Sequence, residues 1–289
     1  MNQYLKAIGF NLKSRNELNS LLEDVKRSFN HQTIVSYNDD IDFCEVQKEY
    51  GQNLGISLYG EMEKEIFEEN YYIPYFQGSG VSTYAELIVE RRYEREQYIG
   101  ICEDPNVGIS IIFAVQNGVE YIKESQLGTL SEKDISITFS GLALGGKILF
   151  PVQKDEFLLR DEKVAQDNRK LLLDAARSGD MVAIESLTLD DINTYTKVSH
   201  RLVSEDIFSI VDTYFMPYGV ECDLYAILGE IIAIKKRQNL HSKSWLYQMK
   251  VNVNGLEFDI CVPTDSVMGE PAIGRRFKGN IWLQGEINF

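Results

Sequence analysis

Residues 245–262 read WLYQMKVNVNGLEFDICV. Apolar and polar residues alternate on both sides of Asn254-Gly255, which is the two-residue period of a strand. An Asn-Gly pair between two such runs is a strong hairpin signal, because both turn positions need positive φ. The stretch therefore predicts an antiparallel hairpin, and with it a β-rich C-terminal region.

The neighbours of this hairpin extend the same pattern. Cys222 to Leu228 is apolar on both faces, which predicts a long covered strand bent at Gly229. Residues 281–289 repeat the alternation, and their pattern predicts an exposed Trp282 opposite the apolar face, whereas Trp245 is expected in the core. Four strands in so few residues predict a small curled sheet or barrel. An oligonucleotide-binding barrel has five strands, and residues 207–215 would have to supply the fifth out of order.

Upstream, residues 156–203 change to a helical period. Gly179 stands where a helix C-cap favours a residue without Cβ, and Asp180 is suited to cap the next helix. These residues predict a helical bridge between two β-rich regions.

The N-terminal part begins with a helix signal, the capping box Ser14-x-x-Glu17, followed by apolar residues at helical spacing up to Phe29. Residues 33–125 then read as strands, with a second hairpin expected at Asn117-Gly118. This region predicts an antiparallel sheet that carries a packed helix over residues 15–29.

Together these signals predict an α+β protein, which fits a length of 289 residues as two units. We expect an antiparallel α+β domain over residues 1–155, a helical bridge over 156–205, and a small β domain over 206–289 that resembles an oligonucleotide-binding barrel.

The composition is that of an ordinary globular chain, with a formal net charge of −15. The charge is uneven: eight basic and five acidic residues leave +3 over residues 235–289, and therefore −18 over the rest. A uniformly acidic surface would repel the phosphates of a nucleic acid. The basic residues 235–289 are an exception, so nucleic-acid binding is not excluded for this region.

Signals of chemistry are few. Residues 141–147 (GLALGGK) fit the phosphate-loop pattern, but Ile148 replaces the hydroxyl that holds magnesium, and a glycine-rich turn or bulge between strands is the better interpretation. Asp39, Asp40 and Asp42 are interpreted as a solvated turn. We find no nucleophile with a recognisable base, so we predict no catalytic residues, no metal site and no cofactor.

The cysteines Cys44, Cys102, Cys222 and Cys261 form no C-x-x-C pair, and the longest near-apolar stretch, 224–234, is far too short to cross a bilayer. We therefore expect a cytoplasmic protein with reduced cysteines and no membrane partner.

The basic residues of the C-terminal region form two clusters in the sequence. One lies in the connection after the long strand, and the other at the start of the last strand. With Trp282 as a stacking face, they are the candidate ligand-binding residues: Lys235, Lys236, Arg237, Arg275, Arg276, Lys278 and Trp282. A plainer interpretation is that they bind the acidic N-terminal half, within the chain or in a second copy.

Three segments also carry a resemblance: YLKAIGF (4–10), FSIVDTYFMPYGVEC (208–222), and GEP (269–271) with GRRFKG (274–279). They resemble an uncharacterised bacterial family that is classified as a domain of unknown function, over nearly the whole chain. The resemblance implies a bacterial cytoplasmic protein and assigns no site residue.

Three functional hypotheses follow. The first is a non-catalytic binding or adaptor protein with an unknown protein partner or self-association. The second is weak binding of nucleic acid or an anionic metabolite by the basic C-terminal domain. The third is an enzyme whose site joins residues distant in sequence, such as carboxylates of the N-terminal sheet.

Overall fold

The computed structural model of the chain describes residues 2–36, 42–64, 66–92, 97–104, 106–130, 134–152, 168, 171–172, 175–176, 178–189 and 207–289.

The N-terminal region combines a short 3₁₀ helix, Gln3–Ile8, with helix α1, Arg15–Arg27. Ser14 Oγ accepts a hydrogen bond from Glu17 N at 3.2 Å, as the capping box predicts, while Glu17 Oε2 accepts from Lys13 N. A four-stranded antiparallel meander follows, which confirms the predicted sheet with its helix. Its strands are β1 (His31–Ser36), β2 (Asp42–Gly51), β3 (Leu54–Glu63) and β4 (Ile66–Phe76).

A second run of antiparallel strands follows the meander: β5 (Leu87–Arg92), β6 (Gln97–Glu103) and β7 (Ser110–Val115). The prediction of a hairpin at Asn117-Gly118 is wrong, because helix α2, Gly118–Gln126, begins there. The side chain of Asn117 forms two hydrogen bonds with the backbone of one distant residue: Nδ2 donates to Ile287 O and Oδ1 accepts from Ile287 N. Asn117 therefore binds a distant strand and does not form a hairpin turn.

The remaining elements lie in the C-terminal half, apart from one long strand that precedes it. A single helical turn covers Ile207–Ile210, and a 3₁₀ turn covers Thr264–Ser266. The strands are β8 (Ser136–Leu149), β9 (Tyr214–Pro217), β10 (Leu224–Gln238), β11 (Trp245–Val253), β12 (Leu256–Pro263), β13 (Val267–Met268) and β14 (Arg276–Asn288).

Five of these strands close into a barrel in the order β10, β11, β12, β8, β14 and back to β10. The β11–β12 hairpin turns at Asn254-Gly255 as predicted. Strand β8 is parallel to β12 and antiparallel to β14, so both of its edges are used. The barrel depends on a strand that lies more than a hundred residues from the C-terminus.

The predicted source of the fifth strand is therefore wrong. Residues 214–217 form β9, which pairs with β10 outside the ring, and residues 136–149 supply the missing strand. The domain boundaries at 155/156 and 205/206 stay a prediction, and strands from both sides of them share one ten-stranded sheet.

The glycine-rich stretch 141–147 lies inside β8. Gly279 of β14 pairs with Gly146 of β8, and Ile281 pairs with Ala143, so residues 144 and 145 of β8 have no partner on β14. This irregularity is a β-bulge. A Cβ on Gly146 would lie 2.4 Å from the Phe277 ring, and one on Gly145 would lie 2.8 Å from Ser266 O. These glycines allow close approach of neighbouring chains, so the bulge interpretation holds and the turn does not.

Strand β10 bends differently from the prediction. Its register shifts between Ile231 and Ala233, whereas Gly229 lies in the regular part of the strand. A Cβ on Gly229 would approach Val253 Cγ2 to 2.6 Å, so this glycine makes room for a side chain of the neighbouring strand β11.

The sheet faces define two apolar cores. One fills the barrel, with Phe139, Ile227 and Phe258 among its members. The other lies between the outer wall of the barrel and the meander, and contains Leu142, Leu246 and Trp282 of the barrel together with the apolar face of α1. The N-terminal half therefore buries part of the outward face of the barrel.

Most of the predicted helical bridge lies outside the described residues. In the described part, residues 181–189 are helical, Gly179 has φ +90°, and Asp180 Oδ1 accepts hydrogen bonds from Val182 N and Ala183 N. The predicted C-cap and N-cap are confirmed. Asp39 and Asp40 also lie outside the described residues, and Asp42 begins β2.

No helix in the described part of the chain is long and apolar enough to cross a membrane.

A buried carboxyl lies in the meander. Glu45 on β2 is 3% exposed, and its Oε1 accepts from Gln47 Nε2 at 2.7 Å. Burial raises its pKa from 4.5 to about 7, against the opposing effect of hydrogen bonds with Tyr59, Gln47 and Ser57. The native state therefore holds a proton here that the unfolded chain loses at lower pH.

This shift predicts that stability falls as the pH rises from about 4.5 to about 7, because the native state binds more protons than the unfolded state in that window. Glu45→Gln should remove about 3 kcal/mol of this loss. Urea unfolding between pH 4.5 and 8 measures it, with Glu49→Gln, an exposed acid on the same strand, as the control. An unchanged pH slope in Glu45→Gln would contradict the assignment.

Candidate functional site

The first predicted basic cluster lies at the end of β10. Lys235, Lys236 and Arg237 are exposed strand residues, so the prediction that they lie in the connection after the strand is wrong. Lys236 Nζ lies 5.2 Å from the ring centroid of Trp245. The structure gives Lys235 and Arg237 no ion-pair partner among the described residues. We call Lys235, Lys236, Arg237 and Trp245 the hairpin platform.

The second basic cluster has a different role. Arg276 is 4% exposed, and its guanidinium donates to the backbone carbonyls of Phe150, Phe208, Val211 and Asp212 at 2.7–3.2 Å. It ties the segment before β9 to the barrel. A ligand has no access to this side chain, so its assignment as a binding residue is unsupported by its position.

The flanking cations rest on aromatic rings. Arg275 lies 5.5 Å from the centroid of Phe150 and donates to Glu270 O, while Lys278 Nζ lies 3.8 Å from the centroid of Phe208. The two clusters do not converge: Arg275 O accepts from Ile231 N, and Lys235 is four residues further on, about 13 Å along a strand.

The two tryptophans exchange their predicted environments. Trp282 is 6% exposed, donates from Nε1 to Asp223 Oδ2 at 2.9 Å, and packs on Tyr4 of the N-terminal 3₁₀ helix. Trp245 is 48% exposed because it stands opposite Gln238, the last residue of β10, beyond the closed part of the barrel. The prediction was wrong because the outward face of β14 is covered by another part of the chain.

A cluster of titratable side chains lies between α1 and β2 and consists of Asp24, Lys48 and Tyr50. Lys48 Nζ donates to Asp24 Oδ2 (2.7 Å), to Asp24 O (3.3 Å) and to Ser28 Oγ (2.5 Å), and Tyr50 Oη donates to Asp24 Oδ2 (2.8 Å). Burial raises the pKa of Asp24, but the hydrogen bonds from Lys48 and Tyr50 lower it more, so the carboxylate stays ionised. Burial and the bond to Asp24 hold the pKa of Tyr50 far above its usual value.

This cluster borders a cleft of 790 Å³ between α1 and the β10–β11 turn. The rings of Phe10, Tyr50 and His241 pack against one another with centroids 5.0–5.7 Å apart. The ammonium group of Lys48 donates its three hydrogen bonds to fixed acceptors, so it is not placed to accept a proton as a general base. The contacts are those of a clamp that holds α1 on the meander.

Cys44, Cys102 and Cys261 are buried, whereas Cys222, which was also predicted to be buried, is only half-buried. Burial raises the pKa of Cys44, raises that of Cys102 to about 12, and raises that of Cys261 further. A thiol needs a lowered pKa to form a reactive thiolate, so these three are buried apolar residues, as predicted. Within the described ranges, no group of three or more His, Cys, Asp or Glu side chains is placed to hold a metal ion.

A large groove lies on the outer face of β5 and β6. This groove has a volume of 1070 Å³ and is lined by residues 82–88, 101–104 and 106. Ile88 pairs with Ile101 across the strands, and both contribute to its floor. Glu86, Glu103 and Asp104 are among its lining residues, so an apolar floor is combined with an acidic border. We call it the β5–β6 groove.

The wall of the groove is fixed by hydrogen bonds. Thr83 forms an isolated bridge with Ile137 of β8, and its Oγ1 donates to Asp104 Oδ2 at 2.8 Å. Asp104 Oδ1 accepts from Asn106 N at 2.8 Å, and Ser82 Oγ accepts from Phe139 N. Both oxygens of Asp104 are therefore engaged in building the wall.

The exposed groups of the groove are apolar and acidic. Tyr84 is 76% exposed and Ile88 is 60% exposed, and Glu86 is exposed between them. In the described part of the chain β5 pairs with β6 alone, so its other edge presents backbone donors and acceptors. The groove thus adjoins a strand edge that is able to accept another strand.

The sequence predicted strand β5 but not the β5–β6 groove beside it. The alternation of Ala85, Leu87 and Val89 with Glu86 and Glu90 indicated one apolar face. The signal that was missed is Ile88, an apolar residue on the polar face, which lies beside Ile101 only after the strands have paired.

The chain matches, over residues 5–285, the model of a family described as "Domain of unknown function, E. rectale Gene description (DUF3881)". No curated protein and no solved structure matches the chain significantly.

The role of Arg276 as a structural residue is testable. Arg276→Met keeps the volume but leaves four carbonyls without their donor, and should lower the free energy of unfolding by about 3 kcal/mol. The control Arg275→Met should change it by less than about 1 kcal/mol, since that side chain is partly exposed. Equal effects of both substitutions in urea unfolding would argue against this role.

Proposed function

Because the chain belongs to the DUF3881 family, for which no activity is known, we propose its function from the site alone: a cytoplasmic, non-catalytic binding or adaptor protein. Its ligand in this proposal is an extended, basic and apolar segment of a partner protein. The observation that carries the proposal is the edge of β5 that pairs with no other described strand, next to the β5–β6 groove.

The backbone supplies the first part of the argument. An extended peptide adds to an exposed strand edge through main-chain hydrogen bonds, which give affinity for any sequence. Natural edge strands are often protected by charges or bulges. The first half of β5, residues 87–89, is uncharged and pairs regularly with β6, whereas Glu90, Arg91 and Arg92 stand in the second half, so the added strand would pair with the first half.

The side chains supply specificity. A strand that adds to β5 would place one residue beside Ile88, on the face that also carries Ile101 of β6, and this residue should be apolar. Glu86 and Glu103 lie on that same face, so they favour a positive charge two positions from the apolar residue, and the −18 over residues 1–234 adds a field of the same sign. The groove is therefore suited to a strand with an aliphatic residue that has a lysine two positions away on each side.

A synthetic peptide with a lysine two positions before and two positions after a central valine, Lys-Thr-Val-Thr-Lys, tests this proposal. We expect it to bind the full-length protein in isothermal titration calorimetry, while the same peptide with glutamates in place of the lysines should not. Ile88→Asp should weaken binding about tenfold by removing apolar contact. The matched control is Ile273→Asp, an exposed isoleucine near the start of β14, which should leave binding unchanged. Equal binding of both peptides, or equal effects of both substitutions, would overturn the proposal.

We also propose a second function, binding of single-stranded nucleic acid at the hairpin platform. The barrel has the five strands of an oligonucleotide-binding fold, and we propose that it is related to that architecture. Such folds bind ligands on the face of their second and third strands. The corresponding outward residues of β11 and β12 are covered here: Gln248 Nε2 donates to Gln52 O, and Cys261 contacts Ala7 O.

A nucleic-acid ligand must therefore use the exposed end of the hairpin. Lys236 lies next to the exposed indole ring of Trp245, and Lys235 and Arg237 are its exposed neighbours on β10, so this end of the hairpin combines charges for phosphates with a stacking surface for a base. The test requires the full chain, because residues 206–289 alone lack β8.

Fluorescence anisotropy with labelled oligo-dT should show binding that weakens as salt rises. Trp245→Ala should reduce the affinity about tenfold through lost stacking. Lys147→Ala removes an exposed cation from β8, away from the platform, and should have little effect. Binding that is absent at low salt, or equally sensitive to both substitutions, would end this second proposal.

A further inference from the structure

A small cavity of 190 Å³ lies where the meander, α2 and the β5–β6 hairpin meet. It is separate from the β5–β6 groove, with which it shares no lining residue. Its walls are apolar for the most part, with a few polar groups. The lining residues are Val35, Phe43, Glu61, Arg91, Tyr98, Ile122 and Gln126.

Arg91 is the unusual member of this set. It is partly buried, and its Nε is enclosed without a hydrogen-bond partner among the residues that the structure describes. Enclosed polar atoms in proteins nearly always have a partner, and a guanidinium has a larger need for one than a neutral group. The cavity next to Arg91 supplies the space in which a missing partner would lie.

We propose that this cavity binds a small carboxylic acid with an apolar body, whose carboxylate pairs with Arg91. The planar guanidinium offers parallel N–H donors that match the two oxygens of a carboxylate. Val35 and Phe43 are buried, and with Ile122 they give the apolar body a surface of hydrocarbon. The volume equals the liquid share of about six water molecules, which limits the ligand to a small ring or short chain.

The other polar groups define the selectivity. Gln126 Nε2 donates to Ser36 O at 3.0 Å, so this amide is already oriented by β1. Glu61 is exposed and brings a negative charge to the cavity, which opposes an anionic ligand. The two charged residues should therefore have opposite effects on binding.

Benzoate is a suitable probe, with benzamide as its neutral counterpart. Isothermal titration calorimetry on the full-length protein should show binding of benzoate and at least tenfold weaker binding of benzamide. Arg91→Met should weaken benzoate binding at least tenfold, since a charged hydrogen bond is lost. Glu61→Gln should strengthen it, because a like charge is removed.

Two controls keep the result interpretable. Arg27→Met removes an exposed arginine of α1 and should not alter benzoate binding. Arg91→Met should fold with an unchanged melting temperature in the absence of benzoate, because Nε of Arg91 has no hydrogen-bond partner to lose among the described residues, and Arg91→Lys gives a second variant that keeps the charge. Equal binding of benzoate and benzamide, insensitivity to Arg91→Met, or no binding at millimolar benzoate would overturn the proposal.

Discussion

The backbone hydrogen bonds of β8 hold the molecule together, since this strand closes the barrel against both β12 and β14. Both cores depend on that closure: Phe139 faces the inside of the barrel, while Leu142 faces the meander. The groove depends on it as well, because the bridge between Thr83 and Ile137 fixes its wall. One strand with two used edges and two buried faces therefore positions the barrel, both cores and the wall of the groove.

Local signals in the sequence predicted local structure well. Helix α1, the hairpin at Asn254-Gly255 and the cap at Asp180 depend on residues that are close along the chain. The pairing of β8 could not be predicted in this way, because its partners are chosen by shape and burial across more than a hundred residues. Its glycines resembled a phosphate loop or a turn, since the sequence does not show which neighbour needs the space.

The candidate sites show the same division. The cations of the hairpin platform were found from composition, but Arg276 and Trp282 could not be recognised as buried until the covering segments were placed. The plainer hypothesis, that the basic residues bind the acidic N-terminal half, finds no support at Lys235 and Arg237 in the described residues. The two charge regions instead lie on separate surfaces, an acidic groove and a basic hairpin end, which is an arrangement suited to a protein with two kinds of partner.

The closure of the barrel also sets the order of events during folding. Strand β8 pairs with β14 from Ser136 opposite Asn288 to Leu149 opposite Arg276, so it is synthesised more than a hundred residues before this partner. Until β14 is made, β8 lacks a partner at this edge and has two apolar faces to cover, a state that favours pairing with other chains. Contacts of such long sequence separation form slowly. The interval between the synthesis of β8 and that of β14 is therefore a period in which this strand is exposed to aggregation.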